Sequence, residues 1–308
     1  MKIAFDGVAA ILLTPFNEAG DIDVVSLHQL VGWYQSNGVA AIVTPAVASE
    51  VDKLSLAERE WVVAEAISAA NGKVPVVGGV LGENGTEAAR LAESAMKVGC
   101  AAVMCRAPGH ILDDAEKLLA YFTTIASAGM ERLIIQDLSF RGAGLDLELI
   151  LKLYNSLPAF RDIKVEVEMT NYKATHLCEA TGGKLHVWSG WALLQMLEAL
   201  DRGVRTFCPS AFHRPFVQIC QTYFSGNRPK AMEIFDAILP YLAWSRQNSD
   251  INLQLLKRFC VQQGVITSSQ MREPVHLFDR YHEAYANELI QRMLAWQNDL
   301  DTQRVIIK

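Results

Sequence analysis

The sequence predicts an α/β protein: a (β/α)8 TIM barrel over residues 1–225, followed by a C-terminal helical domain over residues 226–308. Three observations carry this. Eight short β-rich runs recur with starts roughly 20 to 35 residues apart, the length of one strand–helix unit. The stretches between them carry helix start and stop signals. No early turn shows the GxGxxG fingerprint of an open dinucleotide-binding sheet, so closure into a barrel is the arrangement expected for eight such units.

In chain order the strand runs are VAAILLTP (8–15), AAIVTP (40–45), PVVGGV (75–80), AAVMCR (101–106), RLIIQD (132–137), DIKVEV (162–167), LHVWSG (185–190) and RTFCPS (205–210). Between them, Ser55-Leu-Ala-Glu58 is a capping box that opens a helix running to about Asn71. Thr86 is expected to cap the next helix, which stops before Gly99, and Gly38, Gly129 and Gly182 sit where helices hand over to loops. Pro158 ends LELILKLYNSL (147–157). After about residue 226 the strand pattern ceases. Pro229 opens a helix through AMEIFDAILPYLAW, and NLQLLKRFCVQQG (252–264) and LFDRYHEAYANELIQRMLAWQ (277–297) read as amphipathic helices.

Composition narrows the function classes. With 308 residues, 51% of them hydrophobic and 20% charged, the chain has the make-up of a globular protein with a large core. Its 28 basic and 34 acidic residues give a net charge of −6 and form no basic block, which argues against nucleic acid as a partner. The longest apolar runs, such as VAAILL (8–13), are far short of the roughly 20 residues that cross a bilayer. Asp6 interrupts the stretch behind Lys2 that a secretion signal would need, so the expected location is cytoplasmic. The six cysteines form no CxxC pair and the seven histidines no HExxH, so neither a metal nor a cofactor is expected.

In a (β/α)8 barrel the reactive groups stand at the C-terminal ends of the strands. The residues there are Thr14, Glu50, His110, Gln136, Asp137, Arg141, Lys164, Ser189, Trp191, Ser210 and His213. Lys164 stands out. In DIKVEVEMT (162–170) the apolar Ile163, Val165, Val167 and Met169 alternate with Lys164, Glu166 and Glu168, placing three charges on one face of a strand. Either Lys164 pairs with Glu166, two residues on, or burial lowers its pKa and frees an amine that attacks a carbonyl to form a Schiff base.

Several motifs resemble the dihydrodipicolinate synthase / N-acetylneuraminate lyase family of class I aldolases. GVAAILLTPFNEAGDIDVVSLHQLVGWYQSNGVAAIV (7–43) resembles the family's opening TPF segment, LSLAERE (54–60) its L-[ST]-x-x-E-R helix start, and SLPAFRDIK (156–164) its LPNIVGIK. KVEVEMTNYKATHLCEATGGKL (164–185) resembles a branch of relatives in which KVE-x3-T-x2-K follows the lysine. The resemblance implies a barrel that binds pyruvate as an imine on Lys164, and a homo-oligomer, tetramer or dimer. It puts the carboxylate-binding GTTGE loop on Ala46-Val47-Ala48-Ser49-Glu50, where only the glutamate matches. The family's proton-relaying tyrosine falls on Gln136, whose amide does not shuttle protons near neutral pH. The tyrosine pair after the fourth strand falls on Gly109 and His110, and a histidine titrates in the range acid–base work needs. Arg141 matches the arginine that holds the second substrate's carboxylate, the alternative being that it pairs with Asp137, four residues earlier.

The expected function is therefore a Schiff-base-forming lyase acting on pyruvate or another small 2-keto acid. Lys164, Gln136 and His110 are its candidate catalytic residues, and Arg141, Val47, Ala48 and Glu50 its candidate substrate-binding residues. The alternative is a non-catalytic descendant that binds a keto acid as a sensor or scaffold.

Overall fold

The computed structural model describes residues 5–306, and of residues 191, 192 and 299–306 only the backbone. Eight parallel strands pair in sequence order and close through β8 onto β1. They are β1 (Gly7–Ile11), β2 (Ala41–Thr44), β3 (Val76–Val80), β4 (Ala102–Cys105), β5 (Leu133–Leu138), β6 (Phe160–Glu166), β7 (His186–Ser189) and β8 (Thr206–Phe207). Helices α1 (Val24–Ser36), α2 (Leu56–Ala70), α3 (Gly85–Lys97), α4 (Ala115–Ala126), α5 (Leu147–Ser156), α6 (Thr170–Thr181), α7 (Met196–Asp201) and α8 (Arg214–Phe224) alternate with them. All eight expected strand runs form strands, with ends shifted by a few residues: β1 and β6 start before their runs, at Gly7 and Phe160, and the first run stops at Ile11, short of its expected end.

The local signals act as expected with one exception. Ser55 and Glu58 exchange capping hydrogen bonds at the start of α2, and Gly38, Gly129 and Gly182 all hold positive φ at helix ends. Thr86, however, is not a cap. Asn84 is, with its side chain accepting from the Glu87 amide, because the helix begins at Gly85, two residues earlier than a Thr86 cap would allow.

Two cores result. Side chains pointing outward from the strands join the inner faces of the helices, as Ile163 and Val165 do. Side chains pointing inward form a smaller core containing Ala9, Ala41, Val77, Met104, Ile134 and Trp188. On β6 the inward face is the charged one. At the N-terminal end of the barrel, Asp162 accepts from Arg132 Nε at 2.5 Å and Nη2 at 2.7 Å, and from Trp188 Nε1 at 2.9 Å, while Phe5 packs on the Trp188 and Arg132 side chains. This network plugs the floor. Lys164 lies one inward position higher. Gly79 serves the same geometry from β3, since a Cβ there would stand 1.6 Å from the Pro45 carbonyl oxygen at the end of β2.

Helices α9 (Arg228–Ser245), α10 (Ser249–Gln262) and α11 (Arg280–Ile306) complete the chain. Pro229 sits in the first turn of α9, and residues 277–279 precede α11 rather than belonging to it. α9 packs on α7 and α8, and α10 reaches the loop after β2, where Lys257 meets Glu50. No helix among the described residues is long and apolar enough to cross a membrane, and among them no cluster of three or more His, Cys, Asp or Glu is arranged to hold a metal ion.

Candidate active site

A cavity of about 560 Å³ opens at the C-terminal ends of the strands. Lys164, Glu166, Gly190 and Cys208 line it from the barrel, Ala46, Val47 and Ala48 from the loop after β2, and Arg141 from the loop after β5. Its far wall comes from the C-terminal helices: Tyr241, Arg246, Asn248 and Asn252.

The Lys164 amine is 2.9 Å from Glu166 Oε2, with its side chain 4% exposed. The same Glu166 oxygen accepts from Gln136 Nε2 at 2.6 Å. Both contacts follow from strand register. Lys164 and Glu166 are inward neighbours on β6, and Gln136 is the β5 partner of Lys164. Gly190 leaves the room for this pair, because a Cβ at that position would stand 2.1 Å from Glu166 Oε1 and 2.8 Å from Lys164 Cε. Burial works against charge on Lys164. Even so, the Glu166 carboxylate outweighs it and raises the ammonium above its ordinary pKa. This corrects the expectation that burial alone would lower it. The pairing of Lys164 with Glu166 is present, and it coexists with exposure of both groups to the cavity.

Residues 164–173 form one construction. Thr170 Oγ1 donates to the Val167 carbonyl at 2.6 Å and accepts from the Val167 amide at 3.1 Å, which closes the turn from β6 into α6. Lys173 then reaches back to Asp137 Oδ2 at 2.5 Å and to the carbonyls of Ala143 and Leu145. Asp137, raised by burial against the pull of Lys173, is thus taken by Lys173 and not by Arg141. The clamp holds the 139–145 loop that carries Arg141 to the rim.

The other candidate positions separate. Glu50 is buried and does not line the cavity. Its carboxylate meets Lys257 Nζ at 2.5 Å, Lys53 Nζ at 3.1 Å and the Arg272 amide at 3.2 Å. His110 lies exposed in a short turn at residues 109–111 and does not line the cavity of this chain. Ser210 lines the cavity, whereas Ser189 is buried away from it. His213 is a core residue: it packs between Trp33 and Tyr34, its Nδ1 sits 2.9 Å from the Ala211 carbonyl, and burial lowers its pKa to about 3. The Trp191 side chain lies outside the described residues. Arg246 was not foreseen from the sequence. It arrives from the end of α9, 82 positions after Lys164, and no local pattern marks it. Burial lowers its pKa to about 10 against the pull of Glu166, which leaves it charged at neutral pH.

A buried lysine on the sixth strand of such a barrel, facing the cavity, points to one set of relatives. The model of the dihydrodipicolinate synthetase family matches residues 4–293. The chain belongs to that family. The 4-hydroxy-tetrahydrodipicolinate synthase of Nitrosococcus oceani is 26% identical over 294 residues, covering 94% of this chain and 99% of its own. An uncharacterised DapA-like lyase of Rhizobium meliloti is 28% identical over 192 residues, 62% of this chain and 63% of its own. Among solved structures, the 4-hydroxy-tetrahydrodipicolinate synthase of Methylacidiphilum fumariolicum superimposes with a TM-score of 0.86 at 20% identity, over 97% of this chain and 99% of that one. The dihydrodipicolinate synthase of Aquifex aeolicus gives 0.86 at 22% identity, over 94% and 98%. Family membership supports a lyase or synthase of the class I aldolase kind.

Proposed function

We propose that the protein is a Schiff-base-forming lyase of the aldolase type, acting on pyruvate or another 2-keto acid. The observation that carries this reading is the Lys164 amine, buried on β6 yet facing a 560 Å³ cavity. A lysine in that place adds to a carbonyl, and the protonated imine it forms is the electron sink for making or breaking the neighbouring carbon–carbon or carbon–oxygen bond. The substrate's acidity is matched by Arg141 and Arg246 on the rim, two cations that do not lose charge near neutral pH. Val47 and Ala48 border the same space, and their backbone N–H groups are the donors proposed for the carboxylate. Their side chains bring no hydroxyls, so the carboxylate is held with fewer donors than in relatives that keep two, and the substrate differs from that of an ordinary dihydrodipicolinate synthase.

The test is reductive trapping. Incubation with pyruvate and other 2-keto acids followed by borohydride is expected to leave a mass-shifted adduct on Lys164. If no keto acid labels Lys164 while a control aldolase is labelled, the imine reading fails and the non-catalytic sensor or scaffold takes its place. The chain is further proposed to work as a homo-oligomer, which sedimentation tests directly. Exposed His110 stands where the family lends a tyrosine across a subunit boundary, and assembly is the condition under which it would approach a site.

A further inference from the structure

We propose that Glu166 is the catalytic acid–base of this site, performing at Lys164 the proton transfers that the family resemblance assigns to a tyrosine at position 136. The proposal rests on the imine reading above and goes beyond it by naming the group that makes imine formation possible. Position 136 holds an amide, which donates and accepts hydrogen bonds but carries no proton to give near neutral pH. That amide is bonded to the Glu166 carboxylate at 2.6 Å, and the carboxylate in turn is 2.9 Å from the reacting nitrogen, within direct proton-transfer reach. Gln136 is thus a positioning residue, holding by its N–H the oxygen that faces Lys164. The missing tyrosine and the extra carboxylate are two sides of one exchange.

The other ionisable groups lining the cavity among the described residues do not fit the role. Burial pushes the Cys208 thiol up to about 12 and raises the Tyr241 phenol well above its ordinary value, while Arg141 and Arg246 carry guanidinium groups, which donate hydrogen bonds but offer no base. Tyr241 also points its hydroxyl at Asn252 Oδ1, 3.5 Å away, on the wall opposite the barrel. The raised pKa of Lys164 agrees with a resting ammonium–carboxylate pair.

The steps balance without any outside reagent. Glu166 takes a proton from the Lys164 ammonium. The freed amine adds to C2 of the keto acid, a C–N bond forms, and the carbonyl π pair moves to oxygen, which takes the proton back from Glu166. Glu166 then removes a second proton from the nitrogen and returns it to the hydroxyl. The C–O bond breaks, water leaves, and the nitrogen lone pair closes the protonated imine. Glu166 ends as the carboxylate it began as.

The experiment is the rate of borohydride trapping of pyruvate on Lys164 at neutral pH, in the full-length protein and in variants whose thermal melts match it. Glu166→Gln is expected to slow trapping by about a hundredfold or more. Glu166→Asp, which keeps a carboxylate, is expected to fall between Glu166→Gln and wild type. Sodium formate is expected to restore part of the rate to Glu166→Ala, a rescue that a merely structural ion partner does not show. A Glu166→Gln protein that traps as fast as wild type overturns the proposal. If Glu166→Gln does not fold, the Glu166→Asp rate decides in its place: no slowing overturns the proposal. A wild type that no keto acid labels overturns the imine reading itself, an outcome distinct from a labelled wild type with an indifferent Glu166.

Discussion

Among the described residues, two lysine–glutamate pairs, Lys257–Glu50 and Lys164–Glu166, sit in contrasting surroundings. Lys257 and Glu50 join α10 to the loop after β2, each side chain 1% exposed. Lys257 bonds Glu50 at 2.5 Å and the Gln270 carbonyl at 2.8 Å with its ammonium 4.4 Å from the Phe16 ring centroid, while Glu50 also takes Lys53 and the Arg272 amide. Lys164 and Glu166 are nearly as buried, but they face the cavity, and Gln136 supplies the carboxylate with only a single side-chain amide. Burial lowers Lys257 to about 8, whereas Glu166 raises Lys164. A displaced pKa therefore does not by itself mark a reacting lysine. What separates the two is the cavity beside the Lys164 nitrogen.

Breaking each pair gives different outcomes. The largest expected effect is Lys164→Met, which removes the proposed nucleophile and is expected to abolish keto-acid trapping, read by mass spectrometry, while denaturant melts still report a folded barrel. Next is Glu50→Leu. It leaves the Lys257 ammonium buried without its countercharge, at an expected cost of about 3–5 kcal/mol in urea unfolding, with the trapping rate of the folded fraction unchanged. A trapping defect at unchanged stability would return Glu50 to the substrate site.

The third outcome concerns pH. The folded pKa of Lys257 lies near 8 and its ordinary value at 10.5, so between these the unfolded chain holds more protons and stability gained at this group rises with pH. Below about 8 the penalty for burying the charged form is full. Relative to Lys257→Met, the wild type is expected to gain about 3 kcal/mol as pH climbs from 8 to 10.5, measured by chemical denaturation at each pH. A parallel pair of curves would show that Lys257 is not desolvated as its packing implies. The smallest effect is at Gln136. Gln136→Leu leaves Glu166 in place but unanchored, and the trapping rate is expected to drop about tenfold with little change in melting temperature.

Legibility followed the range of the interactions. The capping box at Ser55 and Glu58, the glycines at helix ends and the alternation along DIKVEVEMT are set by neighbours a few residues apart, and each could be read directly. Asn84 capped where Thr86 was expected because the two sites compete within one turn, and the sequence favours neither strongly. The Glu166 contact of Lys164 was visible as a two-residue spacing. Its link to Gln136 was not, because it depends on the register of β5 against β6, 30 residues apart. Asp137 illustrates the same limit. Four residues from Arg141 in sequence, it is claimed instead by Lys173 from α6, since a loop does not fix an i,i+4 pair side by side as a helix does.

The sequence by itself determined a strand–helix repeat of eight, a charged inward face on the sixth strand and a lysine at its middle, because periodicity and punctuation are local properties of the chain. Only the tertiary structure decided which charges share the cavity: that Glu166 and Gln136 meet at the amine, that Glu50 is sealed away with Lys257, and that Arg246 arrives from a helix 82 residues on. Closure of the barrel and packing of the last helices set those distances, and no local pattern in the chain encodes them.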